Sequence, residues 1–245
     1  MKLKEALANS GVSAIIYGES GIGKTHFCGT LPGSTLIIAA EANGIKTLSR
    51  SENADYIDVI NLPSAGRTIA ETAKRYDQFF EALLTAELTF DNVVLDSATE
   101  LANQLMISKT DLTKNGGAPT QHTYLEVQWA MRRHLRILRD LAVLYNKNVI
   151  VTALESELIL SQSADAAHSK THPALTGKKL SPEAEGLFDI VGHLEKTSGG
   201  VRYIRLEGNE TFVGKDRFGR KACVANGEIF VKGLTGNENN ENKEQ

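Results

Sequence analysis

Gly18-Glu19-Ser20-Gly21-Ile22-Gly23-Lys24-Thr25 follows the pattern G-x-x-x-x-G-K-T, and the apolar run Ile15-Ile16-Tyr17 leads directly into it. Residues of these types at this spacing suit the binding of a polyphosphate. Glycines let the backbone curl until several N–H groups point at one place, and a helix starting where the loop ends adds the partial positive charge of its N-terminus. Lys24 supplies a full charge to bridge the β- and γ-phosphates, Thr25 a hydroxyl for Mg²⁺, and His26 follows on the same helical turn. The expected nucleotide contacts are therefore Gly18 through His26, with ATP as the ligand. A second chemical group stands at Asp96. Asn92-Val93-Val94-Leu95-Asp96 is an aliphatic run ending in a carboxylate, as in a Walker B strand, whose acid emerges beside the phosphates and orients the water shell of the metal.

For these groups to meet, they must leave the carboxyl ends of parallel strands in one sheet. Residues 12–17, 35–40 and 148–153 are near-continuous apolar runs, the pattern of strands covered on both faces. A short strand is expected over 56–60 and a short helix over 44–49. Residues 68–86 carry apolar side chains at helical spacing (Ile69, Ala73, Tyr76, Phe80, Leu83), and helices are also expected over 97–108 and 124–145. The stretch 109–123, with Gly116, Gly117 and Pro119, reads as a mobile loop. Residues 154–179 are small and polar without regular periodicity, which reads as a long functional or disordered loop. Ser181 and Pro182 fit the cap and first position of a short helix. Residues 189–194 and 201–206 alternate around Ser198-Gly199-Gly200, an antiparallel hairpin. The fold class is therefore α/β, a P-loop core with a mainly parallel sheet flanked by helices and a C-terminal antiparallel hairpin. One domain is expected over 1–235, and 236–245, with no apolar residue, reads as a disordered tail.

Bulk properties narrow the class. The chain has 245 residues, 41% hydrophobic and 23% charged, enough for one α/β domain with a sizeable core. A net charge of −3 gives no global attraction to nucleic acid, so any such contact must come from a local basic face. No apolar run approaches the roughly 20 residues of a membrane span, and the first residues lack the apolar core of a signal peptide. A cytoplasmic chain without membrane attachment is expected, in the host cytoplasm if phage-encoded. Cys28 and Cys223 are far apart and lack metal-like spacing, so both read as small buried residues.

Taken together, the P-loop, the carboxylate Glu41 closing the following strand, the Walker B strand and the late Lys215-Asp216-Arg217 resemble the RecA-like ATPases, in particular the phage-type single-strand annealing proteins built on a minimal RecA core. The resemblance covers roughly residues 12–220. It implies that Glu41 polarises the attacking water, although a carboxylate there can also cap the helix near Gly44. It implies that Lys215 and Arg217 reach into the nucleotide of a neighbouring subunit, although an exposed turn has the same sequence. Relatives carry a polar sensor just past the strand that here ends Thr152-Ala153-Leu154. Leu154 cannot hydrogen-bond a phosphate, which leaves Thr152 as a substitute or the coupling between ATP and DNA weak.

Arg132, Arg133, Arg136 and Arg139 fall on a helix at spacings that put at least three on one face, which meets water, a phosphate backbone or a neighbouring subunit. Lys170, Lys178 and Lys179 lie where recombinases place a DNA-binding loop, but no aromatic residue accompanies them to stack on bases. The reading that results is an Mg²⁺-dependent ATPase of DNA recombination or single-strand annealing, a homo-oligomeric ring or filament, with single-stranded DNA and a single-strand binding protein as partners. Two other readings stay open: a non-catalytic nucleotide-dependent module that recruits a partner, and a small-molecule kinase.

Overall fold

The computed structural model describes residues 10–41, 43–62, 69–111, 113, 115–163, 166–177 and 179–230. Strands β1 (Ser13–Gly18), β2 (Thr35–Ala39), β3 (Ile57–Asn61), β4 (Asn92–Asp96) and the first part of β5 (Asn148–Ser163) form a parallel sheet in the order β1-β5-β4-β2-β3. On the far side of β1 lies β7 (Ile190–Lys196), also parallel to it, followed by antiparallel β8 (Arg202–Arg205) and β10 (Ala222–Val224). The expected C-terminal hairpin is thus an extension of the main sheet beyond the P-loop strand.

Alternation along the strands explains why they read as continuous apolar runs. Ile15, Val93, Leu95, Val149 and Val151 belong to one buried cluster, and Ala14, Ile16, Val94 and Ile150 to the cluster on the opposite face. Both faces are covered, so no polar position recurs. The first cluster is closed by α2 (Ile69–Leu83), α3 (Ala98–Lys109), α4 (Gln121–Tyr145) and α5 (Leu180–Leu187). From α4, Val127, Met131, Leu135, Leu138 and Leu141 descend onto the sheet at intervals of three and four. The second cluster is closed by α1 (Lys24–Cys28), with Phe27, Cys28 and Leu31, and by the 3₁₀ segment Gly44–Arg50. Cys28 is buried as expected, whereas Cys223 on the outer strand β10 is only half-buried. Among the described residues no helix is long and apolar enough to cross a membrane.

Three expectations need correction. Residues 154–173 are not an irregular loop: β5 runs on past the sheet and pairs antiparallel with β6 (Ala166–Pro173), from Glu155↔Pro173 to Ser163↔Ala166. Backbone hydrogen bonds hold this hairpin, and its main apolar residues, Leu158-Ile159-Leu160, fall in one run rather than alternating with polar ones. Helix α4 begins at Gln121 rather than 124, because Thr120 and Thr123 form a reciprocal cap that removes three residues from the preceding loop. Ser181 does not cap α5. Its hydroxyl donates to the Pro173 carbonyl at 2.8 Å, and Lys179 occupies the cap position. The tail 236–245 lies outside the described residues.

Candidate functional site

β1 ends at Gly18, and the loop that follows turns through Gly21 (φ 78°) and Gly23 (φ 112°), left-handed values that favour glycine. At Gly23 the positive φ disfavours a side chain, and a Cβ would lie 2.5 Å from Arg202 Nε, so the arginine would have to shift to admit one. The helix after the loop, α1, has only five residues, so its summed dipole is small and the main positive charge is that of Lys24. Phe27 and Cys28, both buried, anchor the helix to the sheet. The Lys24 ammonium donates to the carbonyls of Gly18 at 2.8 Å and Glu19 at 2.7 Å and is 8% exposed. Burial pulls it below the usual lysine value, and the carboxylates of Asp96, Glu155 and Glu41 act against that shift.

Asp96 closes β4 with 4% of its surface exposed and both oxygens occupied. Thr25 Oγ1 donates to Oδ2 at 2.8 Å, and Thr152 Oγ1 donates to Oδ1. This second contact follows from the strand order. β5 separates β1 from β4, and its register against β4, Leu95↔Val151, sets Thr152 beside Asp96. Thr152 therefore orients the Asp96 carboxylate. Thr25 and Asp96 meet at the cleft wall as an all-oxygen pair, and the backbone of Gly44 packs against it, since a Cβ there would lie 3.4 Å from Asp96 Oδ2. Such a hydroxyl and carboxylate fit Mg²⁺, which takes one or two protein oxygens and completes its shell with phosphate and water.

Glu41 follows β2 and is tied to the end of β4, its N–H reaching the Asp96 carbonyl at 3.4 Å. The capping alternative finds no bond to support it: Asn43 is the cap residue of the 3₁₀ segment, without a side-chain cap bond. The Glu41 side chain is exposed and lines a cleft of about 440 Å³ together with Lys24, Thr25, His26 and Asp96. The structure therefore brings the loop, Lys24, Thr25, Asp96 and Glu41 to one cavity at the carboxyl ends of β1, β2 and β4.

The same cleft holds residues that the sequence reading missed, among them Glu100, Asn103 and Arg202. Glu100 had a signal: Ser97-Ala98-Thr99-Glu100 has capping spacing, and Ser97 Oγ accepts from the Glu100 N–H at 3.3 Å, which fixes the start of α3 at the cleft. Arg202 had none, lying 180 positions from its partner Ile22.

Lys215 and Arg217 are not at this cleft. β9 (Lys215–Asp216) pairs with β7 at Val191 and Ile190, toward the amino end of β1 and away from the P-loop. Lys215 Nζ donates to the carbonyls of Glu185 (3.0 Å) and Phe188 (2.7 Å) at the end of α5, and Arg217 pairs with Asp189 at 3.1 Å. The arginine face of α4 is largely neutralised. Arg132 makes a two-pronged pair with Glu183, Arg133 pairs with Glu81 and Arg139 with Asp140, while Arg136 is exposed and has no ion-pair partner among the described residues. Trp129, 68% exposed, lies beside Arg132 on this face. Lys170 is half-buried on β6, Lys179 is exposed before α5, and Lys178 lies outside the described residues.

A mainly parallel sheet whose central strand feeds a glycine loop, with a Lys, a Thr–Asp pair and an exposed carboxylate at its mouth, is the α/β fold of a P-loop NTPase. Residues 10–218 match the family described as AAA domain, and the chain belongs to that family. No curated protein matches the chain.

Proposed function

We propose that the chain binds ATP with Mg²⁺ in the cleft at the carboxyl ends of β1, β2 and β4, hydrolyses it, and uses the cycle on single-stranded DNA in recombination or annealing. The observation that carries hydrolysis is the convergence of Lys24, the bonded pair Thr25–Asp96 and the exposed carboxylate of Glu41 on one cavity. The loop N–H groups and Lys24 bind the phosphate chain and stabilise charge that develops on it. Thr25 and Asp96 are the residues that would hold Mg²⁺, which when bound neutralises phosphate charge. Glu41 orients a water molecule and takes its proton as the water oxygen bonds to the γ-phosphorus and the bond to the bridging oxygen of ADP breaks. The DNA part rests on the motif order that resembles RecA-like ATPases and on the exposed cations Arg136 and Lys179.

Phosphate release with and without single-stranded DNA tests both parts. Glu41→Gln is expected to keep ATP binding and lower turnover by about 10²-fold or more, the range of general-base loss. Lys24→Ala is expected to lose binding. Normal turnover in Glu41→Gln removes the proposed base, and turnover indifferent to DNA removes the DNA role while leaving the ATPase.

A further inference from the structure

The hairpin beyond the P-loop strand reaches over the loop. Tyr17, the last residue before Gly18, is in register with His193, and β7 continues three residues further to Lys196 before the chain turns back. At about 3.3 Å per residue, that overrun carries the start of β8 roughly 10 Å past Tyr17. Arg202, paired with Lys196, opens β8 there, and its carbonyl accepts from the N–H of Ala225, the residue after β10, at 3.1 Å, so it is held from the other side as well. From this position the side chain lies against the loop. Its Nε donates to the Ile22 carbonyl at 2.6 Å, and its guanidinium occupies the space a Gly23 Cβ would fill.

A guanidinium has five N–H donors, and this bond uses one. Among the described residues the Nη groups of Arg202 have no hydrogen-bond partner, and no carboxylate lies within ion-pair distance. This sets Arg202 apart from Arg205, three residues on, which is paired with Glu195. Yet Arg202 is half-buried and lines the same cleft as Lys24. A brace to one carbonyl needs only a single donor. A half-buried cation with a free fork, beside a second cation in one cleft, is a site for an anion with oxygens at fork spacing.

We infer that Arg202 is a phosphate-binding residue of the nucleotide site, supplied by the chain's own β8 hairpin rather than by a neighbouring subunit. The inference rests on the cleft being an ATP site. It gives the antiparallel extension of the sheet a role in binding, since the overrun of β7 is what brings Arg202 to the loop.

ATP and tripolyphosphate binding, measured by calorimetry across a salt series in Arg202→Met and Arg202→Lys, tests it. Arg202→Met is expected to weaken both ligands by about 10- to 100-fold, as for a charge-assisted pair of hydrogen bonds, and to flatten the salt dependence because one cation fewer meets the phosphates. Arg202→Lys keeps the charge and is expected to retain the salt dependence with intermediate affinity. Should Arg202→Met fail to fold, the lysine variant still reports, because a wild-type affinity in it removes the need for the fork. Unchanged affinity in Arg202→Met overturns the inference, and so does weakened affinity with an unchanged salt dependence, the signature of a residue that only braces the loop. A wild-type chain that binds neither ATP nor tripolyphosphate overturns the reading of the cleft as well.

Discussion

Thr152→Val removes one oxygen and almost nothing else. Thr152 is wholly buried, and valine has nearly its shape, so no cavity opens. What is lost is the donor to Asp96 Oδ1 on a carboxylate that is itself only 4% exposed. A hydrogen bond to a charged group is worth about 1.5–3 kcal/mol, and water has little access to replace this one. For a domain of this size each kcal/mol moves the melting temperature by about 2–4 °C, so the variant should melt about 3–12 °C lower. The functional effect is separate. Asp96 keeps its bond to Thr25 at 2.8 Å but can pivot about it, and loss of an outer-shell partner typically weakens metal binding about 10- to 100-fold. The assay is the thermal shift produced by ATP and by ADP as Mg²⁺ is titrated. The Mg²⁺ midpoint should rise by that factor in Thr152→Val for both nucleotides, and Thr152→Ser should restore it. A γ-phosphate sensor would instead lose affinity for ATP alone. A lower melting temperature with an unchanged Mg²⁺ midpoint refutes the argument and reduces Thr152 to a core hydrogen bond.

Glu185 gives a pH-dependent stability. Burial pushes its carboxyl from an ordinary value near 4.5 to about 7, with Lys170 and Lys215 acting in the opposite direction. The folded form thus holds the proton more tightly, its advantage is complete below pH 4.5 and is lost as pH rises through about 7, and Glu185→Gln should flatten that decline in thermal melts. Identical pH profiles for the two proteins would exclude Glu185 as the source. Lys215→Met should lower stability by about 1–3 kcal/mol in denaturant unfolding, because two carbonyls at the end of α5 lose their donor. Arg217→Ala should keep its ATPase activity, since the side chain is engaged by Asp189, whereas an inactive Arg217→Ala chain whose activity returns on mixing with Lys24→Ala would show the trans-acting role that the Lys-x-Arg resemblance implies.

The legible part of this molecule is the part in which one short segment carries both the chemistry and the element that positions it. β1 with its loop, and β4 with Asp96, could be read because an apolar strand and its functional residue are adjacent in the chain. Glu41 could be placed for the same reason, as the carboxylate just past β2. Helices α2 and α4 were legible through their buried stripes, although α4 starts earlier than its apolar residues suggest because hydroxyls, not apolar side chains, set its cap. The extension of β5 beyond 153 and its pairing with β6 were hidden because an arm outside the main sheet is held by backbone bonds, which do not depend on a particular side-chain pattern.

The contact of Thr152 with Asp96 and the place of Arg202 at the cleft were hidden for a different reason. Each residue acts on a partner far along the chain, 56 positions for Thr152 and 180 for Arg202, and is brought there by strand register. A slip of one residue in β5 against β4 would turn the Thr152 hydroxyl to the opposite face of the sheet and leave Asp96 Oδ1 without its donor. Ending β7 at His193, level with Tyr17, would remove Lys196, the residue that pairs with Arg202 beside the loop. Strand order and strand length are therefore functional quantities here, as much as the glycines and the lysine. The loop motif can form on any βα turn, but the carboxylate beside it is oriented only because β5 is inserted between β1 and β4, and Arg202 reaches the loop only because β7 outruns β1.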